Sequence, residues 1–199
     1  ALSRDDVIFM TWEHPIVMES MAALLGSDIG KASIGTFKHR GIPAGTILLE
    51  SVHRVECLAP RYLTTGQFLN SQPMRTLLTQ SGKTVGDKLS STFLTEALQS
   101  VPSATSASAL TKLRPVLERL LPTLELIAAN EVSRRSREAV DAACRFYDEE
   151  LSRLGYLQSV NPAIRDEELL ELKASRDACQ LALSQAKPAL EALRVCIAV

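Results

Sequence analysis

Few residues in this 199-residue chain have types and spacings that could carry chemistry. Ser81-Gly82-Lys83-Thr84 has the form of the end of a phosphate-binding loop, in which backbone amides and a lysine cradle phosphates. The full motif needs a glycine five positions before Gly82, and that position holds Leu77. No good helix follows, so the amide cradle and the helix dipole are both missing and ATP binding is not expected. Glu13-His14 beside Trp12 suggests an acid and base pair, yet no nucleophile or third group lies nearby in sequence. His14 is therefore expected to cap a helix opening at Pro15, and Trp12 to pack its ring into the core. His39 and His53 stand alone, and Cys57, Cys144, Cys179 and Cys196 lie far apart without C-x-x-C pairing. That pattern predicts no metal site and no disulfide, only small buried thiols in a reducing compartment. Ser133-Arg134-Arg135-Ser136-Arg137 is the remaining constellation. On a helix, Arg134 and Arg137 fall near one face with Arg135 to the side, a partner-binding patch that could meet phosphates or an acidic protein surface. Glu131, Glu138 and Asp141 dilute its charge, which favours a solvated helix face with i to i+4 pairs. Lys38-His39-Arg40 reads the same way, as basic residues exposed at a turn. No catalytic, cofactor-binding or metal-ligating residue is predicted.

The elements that must position these residues follow from periodicity. Apolar residues at Leu113, Leu117, Leu120, Leu124 and Ile127, and again at Leu169, Leu172, Cys179, Leu183, Ala186, Leu190 and Leu193, alternate by three and four. Each set makes a narrow stripe on a helix that buries a seam against a partner helix. The spacing predicts a hairpin over 111–190, turning near 158–165 at Ser159-Val160-Asn161-Pro162, with each arm as the other's partner. Pro122 is expected to kink or divide the first arm. The stripe fails between Asn130 and Glu138 and resumes out of phase at Val140, Cys144, Tyr147, Leu151 and Leu154, which marks a change of packing surface. At ~1.5 Å per residue such arms outrun a compact domain, so the hairpin is expected to project.

Ahead of the hairpin, residues 1–99 read as a small α+β domain: a short amphipathic helix after Pro15, then strands at 32–37, 46–57 and 74–79 with a shorter run near Thr84-Val85, forming an antiparallel meander. A helical turn is expected over 93–98. The Ser/Ala-rich stretch 100–110 reads as a connector, and 191–199 as a β-branched strand that returns to the sheet. The fold class is therefore α+β.

Composition narrows the function classes. A net charge of −1 gives no overall pull toward nucleic acid or anionic lipid, and no apolar run reaches the ~18 residues of a membrane span. Residues 1–6 lack the basic and apolar regions of a signal peptide, and the chain starts without Met, which predicts a segment of something longer or a lost initiator residue.

Several strings are more specific. Met10-Thr11-Trp12-Glu13-His14-Pro15-Ile16-Val17, preceded by Leu2-Ser3-Arg4-Asp5-Asp6, resembles the opening of the C-terminal region of the RapA (HepA) family of bacterial RNA polymerase-associated, SWI/SNF-class helicase-like ATPases. The resemblance continues through residues 41–50, 55–61 and 149–154, through Val160-Asn161-Pro162-Ala163-Ile164-Arg165-Asp166-Glu167-Glu168-Leu169, and at Leu190-Glu191-Ala192-Leu193-Arg194. It covers nearly the whole chain, with 93–114 divergent. It implies a cytoplasmic transcription factor that binds RNA polymerase core and uses ATP hydrolysis to recycle it. ATP, Mg and DNA binding would reside in motor domains that this chain lacks. This segment would then be a non-catalytic module touching polymerase core, the motor lobes of the same chain, or both. A freestanding helical-hairpin adaptor that dimerises through its stripe is the alternative.

Overall fold

The computed structural model describes residues 11–26, 31–161 and 163–199. Residues 1–10, including the start of the family-like opening, and Pro162 of the expected turn lie outside the described residues. The chain forms two compact units, Ala1–Ser33 and Ile34–Val199.

In the first unit, helix α1 (Pro15–Gly26) opens with Pro15, whose missing N–H costs nothing at that position. His14 caps it as expected: its Nδ1 accepts from the Ile16 N–H at 3.3 Å, and its carbonyl accepts from Met18 N–H at 3.0 Å. Trp12 departs from expectation, because its ring is 76% exposed.

A five-stranded sheet is built of β1 (Ala32–Phe37, in the second unit from Ile34 on), β2 (Ile47–Glu56), β3 (Met74–Thr79), β4 (Gln99–Ser100) and β5 (Lys187–Ala198), in the order β3-β2-β5-β1-β4. The last strand does return to the sheet, and it takes the central place. It runs antiparallel to β2 from Ile47↔Ile197 to Glu56↔Lys187, with a register irregularity at Val52/His53. It also starts earlier than the expected 191, since Pro188 lies inside it. β2 and β3 keep the expected meander pairing, and Leu78 bridges Thr84 of the expected shorter run; β5 separates β2 from β1.

Side-chain alternation gives the sheet two apolar faces. Leu48, Leu77 and Cys196 face one way and pack with Phe37, Leu89 and Leu94, the last from helix α2 (Ser91–Ala97). Leu49, Leu78 and Val195 face the other way, against Leu120 and Leu124. The short edge pairing Gly35↔Ser100 depends on a missing side chain. A Cβ at Gly35 would stand 2.5 Å from Leu98 Cγ and 2.9 Å from the Gln99 carbonyl oxygen. Gly35→Ala is expected to destabilise the fold by about 2 kcal/mol through this overpacking, read as a lowered urea midpoint with unchanged slope.

Helix α3 (Ser103–Val160) is continuous for 58 residues, about 87 Å at 1.5 Å per residue. It differs from expectation at two places. The Ser/Ala-rich stretch forms its first turns instead of a connector, and Pro122 does not divide it. Burial accounts for both: Leu113, Val116, Leu117, Leu120, Leu121, Leu124 and Ile127 lie on the sheet, and this packing holds the helix through Pro115 and Pro122. The first stripe therefore has the sheet as its partner, and not the other arm.

The change of packing surface falls where the stripe slips. From Val132 on, α3 packs through Ala139, Ala143 and Tyr147 against Cys179 and Leu183 of α4 (Asp166–Ser184) and against Leu63, Leu69 and Met74. Helix α4 opens on Asp166-Glu167-Glu168, favourable at its positive dipole end, and Glu168 accepts the Arg165 backbone N–H at 3.2 Å. No residue is buried from Asp148 to Val160 or from Asp166 to Ala178. This far end is the projecting part of the hairpin, and Gln158 Nε2 donating to Asp166 Oδ1 at 2.7 Å and Arg176 pairing with Asp148 at 3.3 Å tie its arms.

Candidate docking surface on the helical hairpin

The arginine stretch 133–137 lies in the middle of α3, where a rotation of about 100° per residue sends successive side chains into different surroundings. Arg134 points to solvent and is neutralised on its own helix, by Glu131 at 2.7 Å and Glu138 at 2.5 Å. Arg135 turns inward until its side chain is only 11% exposed. Its Nε donates to Glu131 at 2.8 Å and its Nη1 to the Gln72 carbonyl at 2.6 Å, so it ties the segment before β3 to the helix. Ser136 is buried and donates to the Leu183 carbonyl of α4 at 2.7 Å. Arg137 is exposed, and no carboxylate among the described residues lies within ion-pair distance of it.

Hydrogen bonds from Arg134 and then Arg135 hold the Glu131 carboxyl down at about 2. A carboxylate whose folded value lies below its unfolded value of 4.5 adds stability above that value and loses it as pH falls toward about 2. Because the pairs stand near the surface, solvent screening reduces the effect to about 1 kcal/mol. Glu131→Gln is accordingly expected to remove about that much of the difference in stability between pH 6 and pH 2.5, measured by urea unfolding at each pH.

Arg137 borders a groove of about 400 Å³ where the C-terminal end of α4 meets α3, lined also by Ser133, Val140, Asp141, Ser184 and Ala186. The Ser133, Ser136 and Ser184 hydroxyls already donate to the carbonyls of Ala129, Leu183 and Leu181. Arg137 is thus the donor left to an incoming group, with Asp141 as its acceptor neighbour. Such a surface can hold a polar side chain of a partner; it has no nucleophile bonded to a base. The three arginines do not come together as one patch.

Other sequence candidates resolve locally. Ser81-Gly82-Lys83 is a tight turn, with Gly82 at φ +82° and its N–H on the Thr79 carbonyl, followed by a bridge between Leu78 and Thr84. His39 accepts from the Gly41 N–H at 3.1 Å and meets Phe93 edge to face. The four cysteines are free, and burial pushes the Cys196 thiol up to about 12. Among the described residues no cluster of three or more His, Cys, Asp or Glu could hold a metal ion, and no helix is long and apolar enough to cross a membrane.

Two features escaped the sequence. At the projecting end Tyr156, Val160 and Leu170 are more than 60% exposed. The apolar stripe that resumes after the slip gave no hint of which apolar positions would stay uncovered. Ser51 and His53 are buried under α3; the signal was two polar residues at i and i+2 on a strand face otherwise carrying Leu49 and Val55.

The arrangement of sheet, central last strand and hairpin can be set beside known proteins. Residues 1–198 match the family described as RNA polymerase recycling family C-terminal. The chain belongs to that family. Among curated relatives, it is 35% identical over 201 residues to the RNA polymerase-associated protein RapA of Pseudomonas fluorescens, covering 100% of this chain and 21% of the relative. The proteins of the same name from Pseudomonas aeruginosa and Klebsiella pneumoniae are 34% and 33% identical, covering 100% and 99% of this chain and 21% and 20% of their own lengths. The chain therefore spans about a fifth of the length of the curated relatives it matches.

Proposed function

We propose that this chain is the non-catalytic C-terminal module of a cytoplasmic, ATP-dependent RNA polymerase recycling factor, contacting RNA polymerase core, the motor lobes of its own protein, or both. The observation that carries this reading is the family match across residues 1–198. ATP hydrolysis, Mg and DNA binding belong, in this reading, to the motor region outside the segment. The hairpin is the docking arm. Its base is fixed to the sheet by α3 and β5, while its free end offers exposed apolar residues and its middle offers Arg137.

The test is sizing chromatography of the chain with bacterial RNA polymerase core at moderate salt. Co-migration is expected, and Arg137→Glu is expected to weaken it about tenfold without lowering thermal stability, since Arg137 is exposed and makes no ion pair among the described residues. Arg135→Glu is unsuitable for this purpose because Arg135 is a strut. A chain that elutes alone, while the full-length protein binds, would assign the module to bracing the motor and not to holding polymerase.

A further inference from the structure

A second cavity lies between α3 and the sheet, away from the Arg137 groove. It measures about 310 Å³, at the small end of the range for ligand pockets. Leu121 and Leu124 of α3 and Leu190 and Leu193 of β5 form its walls, and Leu190 is 45% exposed, so it opens to solvent.

Its polar groups come from β2 and α3. Ser51 and His53 are 0% and 4% exposed, and both Ser51 Oγ and His53 Nδ1 are buried without a hydrogen-bond partner. Leaving such atoms unmatched costs about 1–3 kcal/mol each, so a site that keeps them has a use for them. Water would satisfy the two atoms but gains nothing from the leucine walls. The hydroxyl is not bonded to the imidazole, so Ser51 is not an activated nucleophile and the site binds without reacting. The only ionisable groups lining the cavity are His53 and Glu125; no lysine or arginine does. Burial pushes His53 below the ordinary imidazole range against the opposing pull of Glu125, leaving the Glu125 carboxylate as the dominant charge. An anion is repelled here, and a cation on an apolar stem is matched at both ends.

We propose that the cavity beneath α3 is a binding site for an ammonium group carried on a small apolar body, with the body between Leu121, Leu124 and Leu193, the cation at Glu125, and a hydrogen bond to Ser51 or His53. A free amine and a lysine side chain of a partner share this chemistry. The site is separate from the proposed polymerase contacts, and its test does not depend on them.

The test is an NMR titration of the nitrogen-labelled chain with benzylamine and, in a parallel arm, with lysine blocked at its α-amine and carboxylate. Benzylamine is expected to shift the Ser51 to His53 amides saturably with a dissociation constant of about 1 mM, as suits a ligand of about eight heavy atoms. Glu125→Gln, an exposed change that leaves the core intact, is expected to weaken binding about tenfold, and benzoate is expected not to bind. Tighter binding of blocked lysine than of benzylamine would identify a protein side chain as the natural occupant, and the reverse a free amine. The proposal is overturned if neither amine shifts these amides, if benzoate binds equally, or if Glu125→Gln changes nothing.

Discussion

Glu50→Ala is expected to cost about 3 kcal/mol of folding stability, the largest effect of a single charge removal among the described residues. Glu50 lies on β2 with its side chain 4% exposed, and it accepts from Arg75 Nε at 2.5 Å and pairs with Arg194 Nε at 3.3 Å. Register explains the geometry: Arg194 on β5 stands directly opposite Glu50, and Arg75 on β3 opposes Val52, one step along the same face. Arg75 continues outward, donating through Nη1 to the Leu89 carbonyl at 2.7 Å, so the carboxylate anchors the segment leading into α2 as well as two strands. Removing it strands two partly buried guanidinium groups, and breaking a buried pair from one side costs about 3–5 kcal/mol. The lower figure applies because Arg75 and Arg194 keep 20% and 28% exposure. Glu50→Gln retains an acceptor and is expected to lose less. Equilibrium urea unfolding of both variants at pH 7 decides it: equal, small losses would mean the arginines find water when the carboxylate leaves.

The second large effect is expected at Leu183. It is 0% exposed on the last turn of α4, in the cluster that joins Val132, Ala139, Ala143 and Tyr147 of α3 to Val55 of β2 and Leu63. Leu183→Ala removes a fully buried branched side chain where two helices and a strand meet, for about 3 kcal/mol. Its carbonyl also accepts from buried Ser136, and that bond survives the substitution because it is made by the backbone. The loss is therefore expected to be pure packing, and any shortfall from additivity with Ser136→Ala would report coupling between adjacent groups and not a shared hydrogen bond. Thermal unfolding of the single and double variants measures both statements.

Much of this architecture was legible because local pattern and burial agree. β1 and β3 fall on the expected residues, β2 is one residue shorter than expected at each end, and Pro15 marks the first turn of α1. What was not legible depended on partners distant in sequence. A three-and-four stripe says that one helix face is buried, without saying against what, so Leu113 to Ile127 found the sheet where another helix was expected. Proline and small residues argue locally against a helix, and tertiary packing outweighed them in α3. The three arginines were separated for a related reason: consecutive residues on a helix cannot share one environment, and Arg135 was claimed by the carbonyls of Asn70 and Gln72. Ser51 and His53 became interesting only once α3 was laid across them.

The central position of β5 has a consequence for how the chain is made. Roughly 130 residues separate Glu56 from its partner Lys187, so at typical synthesis rates β2 waits on the order of ten seconds for its inner neighbour. During that interval the β2–β3 pair presents Leu48, Leu49 and an unpaired backbone edge to its surroundings, which is a template for pairing with other chains. α3 precedes β5 in the chain, and in the finished fold it is the element that covers Leu49 and Leu78. The long helix is thus placed to shield a nascent sheet, and slowing its formation is expected to show as aggregation during synthesis before any loss of finished stability.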